Sequence, residues 1–107
     1  MNIITRALLL AAVCCASGTA QAQTYPSKPV RIIVAQAAGG GMDTLARLLA
    51  QEMTASLGQA VIVENKPGAA GTIGTSFVAK APADGHTLLM APVGNMVFTQ
   101  ILFSKLP

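Results

Sequence analysis

The chain has 107 residues, 52% of them hydrophobic and 10% charged, with a formal net charge of +3. That length holds at most one small domain, and a charge excess of this size reports mainly on solubility. With no basic run and no interleaved aromatics, the composition argues against nucleic acid as a partner.

The chain opens on MNIITR, which carries the α-amino charge and Arg6, and continues into the apolar run ALLLAAVCCA over Ala7–Ala16. Small and polar residues then lead to Ala20-Gln21-Ala22. This tripartite order, closed by an A-x-A site, predicts a secretory signal peptide over 1–22 that is cut after Ala22. The apolar run falls well short of the ~20 residues that a membrane-spanning helix needs. Cys14 and Cys15 both lie inside it, so the processed chain from Gln23 has no thiol for a disulfide, a nucleophile or a metal site. Acylation of one of these cysteines is the alternative, but Val13 and Cys14 precede them where a small residue is wanted. In the processed chain Lys28, Lys66, Lys80, Lys105, Arg31 and Arg47 face Asp43, Glu52, Glu64 and Asp84, a slight positive excess that suits small anions.

Thr24-Tyr25-Pro26-Ser27-Lys28-Pro29 contains two prolines, which exclude a regular helix and predict an extended leader. Val30–Ala35 (VRIIVA) is almost continuously apolar and β-branched, the pattern of a parallel strand covered on both faces. Gly39-Gly40-Gly41 follows, with Asp43 where a helix N-cap is expected. From there Leu45, Leu48, Leu49, Met53 and Leu57 share one predicted helical face, Arg47 and Gln51 the other, and Gly58 stands where a left-handed residue closes a helix. Ala60–Glu64 (AVIVE) predicts a second buried strand, Asn65–Gly71 a loop, and Thr72–Lys80 a short helix weakened by Gly74 and Thr75. Pro82-Ala83-Asp84-Gly85 is a turn signal in which proline presets one dihedral and glycine accepts a positive one. Thr87–Ala91 predicts a third strand, Pro92–Asn95 a loop, and the spacing of Val97, Phe98, Ile101 and Leu102 a further helix.

This β-α-β-α-β-α order predicts an α/β fold built on a parallel sheet with crossover helices. If the second and third strands flank the first, the crevice at the carboxyl ends of the strands is the expected ligand site, with loops 36–43 and 92–96 facing each other. The three successive glycines of the first loop can expose backbone N–H groups in conformations that other residues resist. Together with the unpaired N–H groups at the start of the following helix, they suit a carboxylate or phosphate without any cationic side chain. A plain tight turn between strand and helix fits the same residues equally well.

Nucleotide chemistry fits poorly. Gly41 is followed by Met42-Asp43 rather than the Lys-Ser/Thr of a P-loop, and Thr44 stands where a dinucleotide fingerprint needs its third glycine. Ser76, Asp84 and His86 supply the residue types of a hydrolytic triad, but Ser76 lacks a G-x-S-x-G elbow and the other two are neighbours on one turn. No cluster of His, Cys or carboxylates has metal-ligand spacing. The reading is therefore of a protein without catalytic residues, metal or cofactor. Lys66 is a solvated lysine or a ligand neighbour.

"YPSKPVRIIV" after the signal, then "AAGGGMDTLARLLAQEM", "LGQAVIVENKPGAAGTIGT", "VAKAPADGHTLLM" and "VGN" together resemble the start of a periplasmic solute-binding receptor of the tripartite tricarboxylate transporter family, the Bug receptors. The resemblance implies one lobe, here incomplete over residues 23–107, of a two-lobed Venus-flytrap fold of the periplasmic-binding-protein kind. It also implies a monomeric, non-enzymatic protein of the periplasm that captures a small organic carboxylate and hands it to the membrane components of a tripartite tricarboxylate transporter. Carried over position by position, ligand contact falls on Ala37, Ala38, Gly39, Gly40 and Gly41, and on Val93, Gly94 and Asn95. Asn65–Gly71 matches a further signature, structural or lining the cleft. Family members commonly have proline and an aromatic at Ala35 and Gln36 and a small hydroxyl residue at Met42, which bears on ligand identity and affinity; they also have tyrosine at His86, a turn position that says little about the ligand. They are also much longer, so the second lobe is expected to be missing. The start of an exported α/β enzyme, or a truncated relic without function, are the alternatives.

Overall fold

The computed structural model describes residues 24–94, 96 and 97. The expected signal peptide (1–22), Asn95 and most of the last expected helix lie outside the described residues. Strands β1 (Val30–Val34), β2 (Val61–Asn65) and β3 (Thr87–Met90) alternate with helices α1 (Gly41–Leu57) and α2 (Thr72–Ala79), the latter entered through a 3-10 turn at Ala69–Gly71. The strands form one sheet in the order β2-β1-β3, with β1 parallel to both neighbours. This is the α/β parallel architecture expected from the order of elements.

The central strand carries the core. Val30, Ile33 and Val34 are wholly buried and Ile32 is 6% exposed, as a β-branched strand covered on both faces requires. Successive side chains point to opposite faces. Ile32 and Val34 pack against Ala46 and Ala50 of α1, with Met42, Met53, Val61, Val63 and Met90 around them. On the other face Arg31 lies 5.4 Å from the ring centre of Phe77 in α2. Gly74 of α2 meets the backbone there: a Cβ on it would stand 3.0 Å from the Cα of Ala35. The glycine that lowers helix propensity is the one that lets α2 seat on the sheet.

Three expectations need correction. The buried face of α1 is Asp43, Ala46 and Ala50, whereas Leu45, Leu48 and Leu49 are 50%, 59% and 43% exposed. Small residues let the helix axis approach the sheet, so size takes precedence over hydrophobicity in choosing the face. Asp43 is not the N-cap: Gly40 caps the helix in an extended conformation with no side-chain bond, and Asp43 sits in the first turn. β2 is half-buried rather than buried, because it is an edge strand among the described residues and Ile62 on it is 46% exposed.

Local closures follow the sequence. Gly58 ends α1 with φ 67°, its N–H donating to the Thr54 carbonyl at 3.1 Å. Gly85 takes φ 78° in the turn before β3, where its carbonyl accepts the Tyr25 hydroxyl at 2.6 Å. Lys28 pairs with Asp84 at 2.7 Å, so the extended leader is strapped to this turn. No described helix is long and apolar enough to cross a membrane.

Candidate ligand cleft

The loops that follow β1 and β2 leave the sheet at the same edge and form the walls of an open cleft of about 440 Å³. The first wall is Ala35, Gln36, Ala37 and Gly40; the second is Pro67, Gly68, Ala70 and Gly71. A carboxyl-end crevice beside the central strand is where ligands bind in parallel α/β sheets. No lining residue carries a charge, and Gln36 is the sole one with a polar side chain. Hydrogen-bonding groups in this lining are therefore almost all on the backbone.

The first wall is shaped by Asp43. Its carboxylate is buried, 4% exposed, and accepts hydrogen bonds from the Gly39 N–H at 2.9 Å, Arg47 Nε at 3.1 Å and Asn65 Nδ2 at 3.0 Å. Bonds from Arg47, from Gly39 and from Asn65 hold its carboxyl well below the usual range, at about 2. Asn65 Nδ2 also donates to the Gln36 carbonyl at 3.2 Å. The first bond of α1 runs from Thr44 N to Gly40 O at 3.0 Å, so the N–H groups of Gly41, Met42 and Asp43 have no acceptor within the helix.

The second wall is shaped by its own backbone and by two threonines of α2, the Thr72 hydroxyl donating to the Ala69 carbonyl at 2.8 Å and the Thr75 hydroxyl to the Gly71 carbonyl at 2.9 Å. Gly68, Ala69, Ala70 and Gly71 all have positive φ, at 118°, 45°, 52° and 85°. Gly71 N–H donates back to the Gly68 carbonyl at 2.9 Å. At Gly68 a Cβ would stand 2.7 Å from Ile73 Cδ1. Two alanines in the left-handed region are uncommon and carry strain, of the kind found where a wall must hold a particular shape.

Of the residues carried over from the resemblance, Ala37 and Gly40 line the cleft; Ala38, Gly39 and Gly41 belong to the same loop without lining it. The Gly39 N–H points to Asp43 instead. Val93 and Gly94, expected in a loop, have helical backbone and are not among the lining residues. Asn95 lies outside the described residues. The Pro67–Gly71 wall carries a sequence signal in P-G-A-A-G, where two glycines bracket two small residues. Lys66 is turned away, 4.3 Å from the Phe77 ring centre and 3.9 Å from Glu64. Glu64 is itself held by Arg31 through two bonds of 2.7 Å.

Asp84 and His86 meet at the turn before β3. Asp84 accepts the backbone N–H of His86 at 3.0 Å, and Lys28, then that N–H, hold its carboxyl at about 2. His86 Nδ1 donates to the Asp84 carbonyl at 2.9 Å. Ser76 is on α2, bonded to neither. Among the described residues there is no cluster of three or more His, Cys, Asp or Glu able to hold a metal ion.

Residues 45–107 match the family described as tripartite tricarboxylate transporter family receptor. The chain belongs to that family. It is 46% identical over 106 residues to a UPF0065 protein of Bordetella bronchiseptica, covering 97% of this chain and 32% of that protein. Among solved structures it is similar to the periplasmic binding protein BugD, at 54% identity and TM-score 0.58, with 61% of this chain and 22% of BugD covered. MatC of Rhodopseudomonas palustris, solved with bound malate, aligns at 46% identity and TM-score 0.58 over 61% of this chain and 22% of MatC. The chain thus spans a third or less of the length of these relatives. The receptor family accounts for the parallel lobe and its glycine-lined edge.

Proposed function

We propose that this chain forms one side of the binding cleft of an exported, non-enzymatic receptor for a small organic carboxylate, which it delivers in the periplasm to the membrane components of a tripartite tricarboxylate transporter. The observation that carries the reading is the cleft itself: backbone-rich, free of charged side chains, and set at the carboxyl edge of the central strand. Such a lining holds an anion by N–H groups and the helix terminus, each bond to a charged group contributing about 1.5–3 kcal/mol. The malate found in MatC supports a dicarboxylate as the class. In a two-lobed receptor a ligand bound to one lobe draws the other over it, shifting an open population to a closed one that the transporter recognises.

One lobe alone binds weakly, so the test is an NMR titration of the chain with malate, succinate, acetate, citrate and phosphate. The expected result is a saturable change in the amide signals of Gln36–Gly41 and Pro67–Gly71 with a dicarboxylate, at millimolar concentration, and none with phosphate. Changes centred on the Tyr25–His86 turn, or no change with any carboxylate, overturn the reading.

A further inference from the structure

We propose that Asp43 and Asn65 are positioning residues that fix the first wall of the cleft in its ligand-binding shape. The proposal rests on reading that cleft as the carboxylate site. A loop containing three successive glycines has wide backbone freedom, and a cleft without charged side chains depends on where its backbone N–H groups point. Something must therefore hold the loop still. The structure shows a single carboxylate and a single carboxamide doing so at both ends of the loop.

Asn65 is the last residue of β2 and pairs in register with Val34, the last residue of β1. Its main chain is thereby part of the sheet, and its side chain reaches from that fixed point to the Gln36 carbonyl at 3.2 Å and to Asp43 Oδ1 at 3.0 Å. Asp43 Oδ2 takes the Gly39 N–H at 2.9 Å. Arg47 closes the ring, donating from Nε to Asp43 at 3.1 Å and from Nη2 to Asn65 Oδ1 at 3.3 Å. Gln36 and Gly39, the two ends of the turn between strand and helix, are each tied to this ring. Asp43 also takes the Gly39 N–H out of the set offered to a ligand and leaves that role to Gly40 and the first turn of α1. Neither residue lines the cleft, so both act through the loop. A loop ordered before the ligand arrives spares the ligand that ordering cost.

The experiment compares Asn65→Ala, Asp43→Asn and a control, Ala50→Gly, which loosens α1 on its buried face away from the loop. Amide hydrogen exchange at Gly39, whose N–H is bonded to Asp43, is measured without ligand, and malate affinity by NMR titration. The two positioning variants are expected to speed exchange at Gly39 and to weaken malate binding at least tenfold. The control is expected to lower the melting temperature and leave both readings as in the parent. Unchanged exchange in both variants overturns the proposal, as does a control that weakens malate binding as much as they do. A parent chain that binds no carboxylate overturns the functional reading instead, and the exchange rates then decide the clamp alone.

Discussion

The two walls of the cleft are built from similar residues and held by different means. Gln36–Gly41 is a glycine loop whose shape comes from side chains beneath it, Asp43 and Asn65, anchored on the helix and the sheet. Pro67–Gly71 has no carboxylate beneath it; its shape comes from a run of positive-φ backbone closed by the Gly71-to-Gly68 bond, with the neutral hydroxyls of Thr72 and Thr75 holding the Ala69 and Gly71 carbonyls. A wall held by a charged side chain is sensitive to protonation, and a wall held by dihedral preference is sensitive to substitution at Cβ. Each can therefore be disturbed without the other.

Acid gives the largest expected effect. The carboxyls of Asp43 and Asp84 are depressed to about 2 in the folded chain, below the ordinary value near 3.9. The stability they contribute is complete above the unfolded value and is lost as pH falls through the folded one, that is, between about pH 4 and pH 2. Within that window the Gly39 amide, bonded to Asp43, is expected to lose protection before the Gly71 amide, which is bonded to a carbonyl. Protection factors measured by hydrogen exchange in steps from pH 5 to pH 2.5 check this. Loss of Gly71 protection first would mean that the walls are not independently held.

Gly74→Ala probes the point where the two walls meet. The new Cβ would stand 2.9 Å from the Lys66 carbonyl oxygen, 3.0 Å from Ala35 Cα and 3.1 Å from Ala35 Cβ. Backbone atoms leading into both loops cannot step aside. Overpacking of this kind costs about 1–3 kcal/mol, against the ~1 kcal/mol that alanine gains over glycine inside a helix. A net loss on the order of 1 kcal/mol is expected in denaturant unfolding. A gain would show that α2 is not seated by contact at this residue.

How much of this is legible in the sequence follows from the kinds of force involved. The central strand can be read because VRIIV states its burial in side-chain type alone. The closing turns can be read because Gly58 and Gly85 sit where a positive φ is required. The buried face of α1 is misleading because its leucines are the more hydrophobic residues, while Ala46 and Ala50 are the ones small enough for close approach. Asp43 suggests a cap because it is the first capping residue type before the helical pattern; its bond to Asn65 joins residues 22 apart, a separation that periodicity does not see. The second wall is legible as a loop, and the positive φ of Ala69 and Ala70 within it is not, because alanine carries no signal for that conformation.

Ala70→Gly is the smallest effect and isolates the second wall. Ala70 has φ 52° and ψ 34°, a left-handed conformation that costs an L residue roughly 1–2 kcal/mol. Glycine removes that strain but adds about 0.4–1 kcal/mol of unfolded-state freedom, which opposes the gain. The Ala70 side chain is exposed, so little packing is lost with its methyl group. The balance is a stabilisation between ~0 and ~1.6 kcal/mol, read as a small rise in melting temperature with Gly39 exchange unchanged. If the variant is destabilised by more than ~1 kcal/mol, the methyl group itself holds the turn. Strain at Ala70 would then be outweighed by a contact, and the second wall would depend on packing of this methyl group as well as on its backbone.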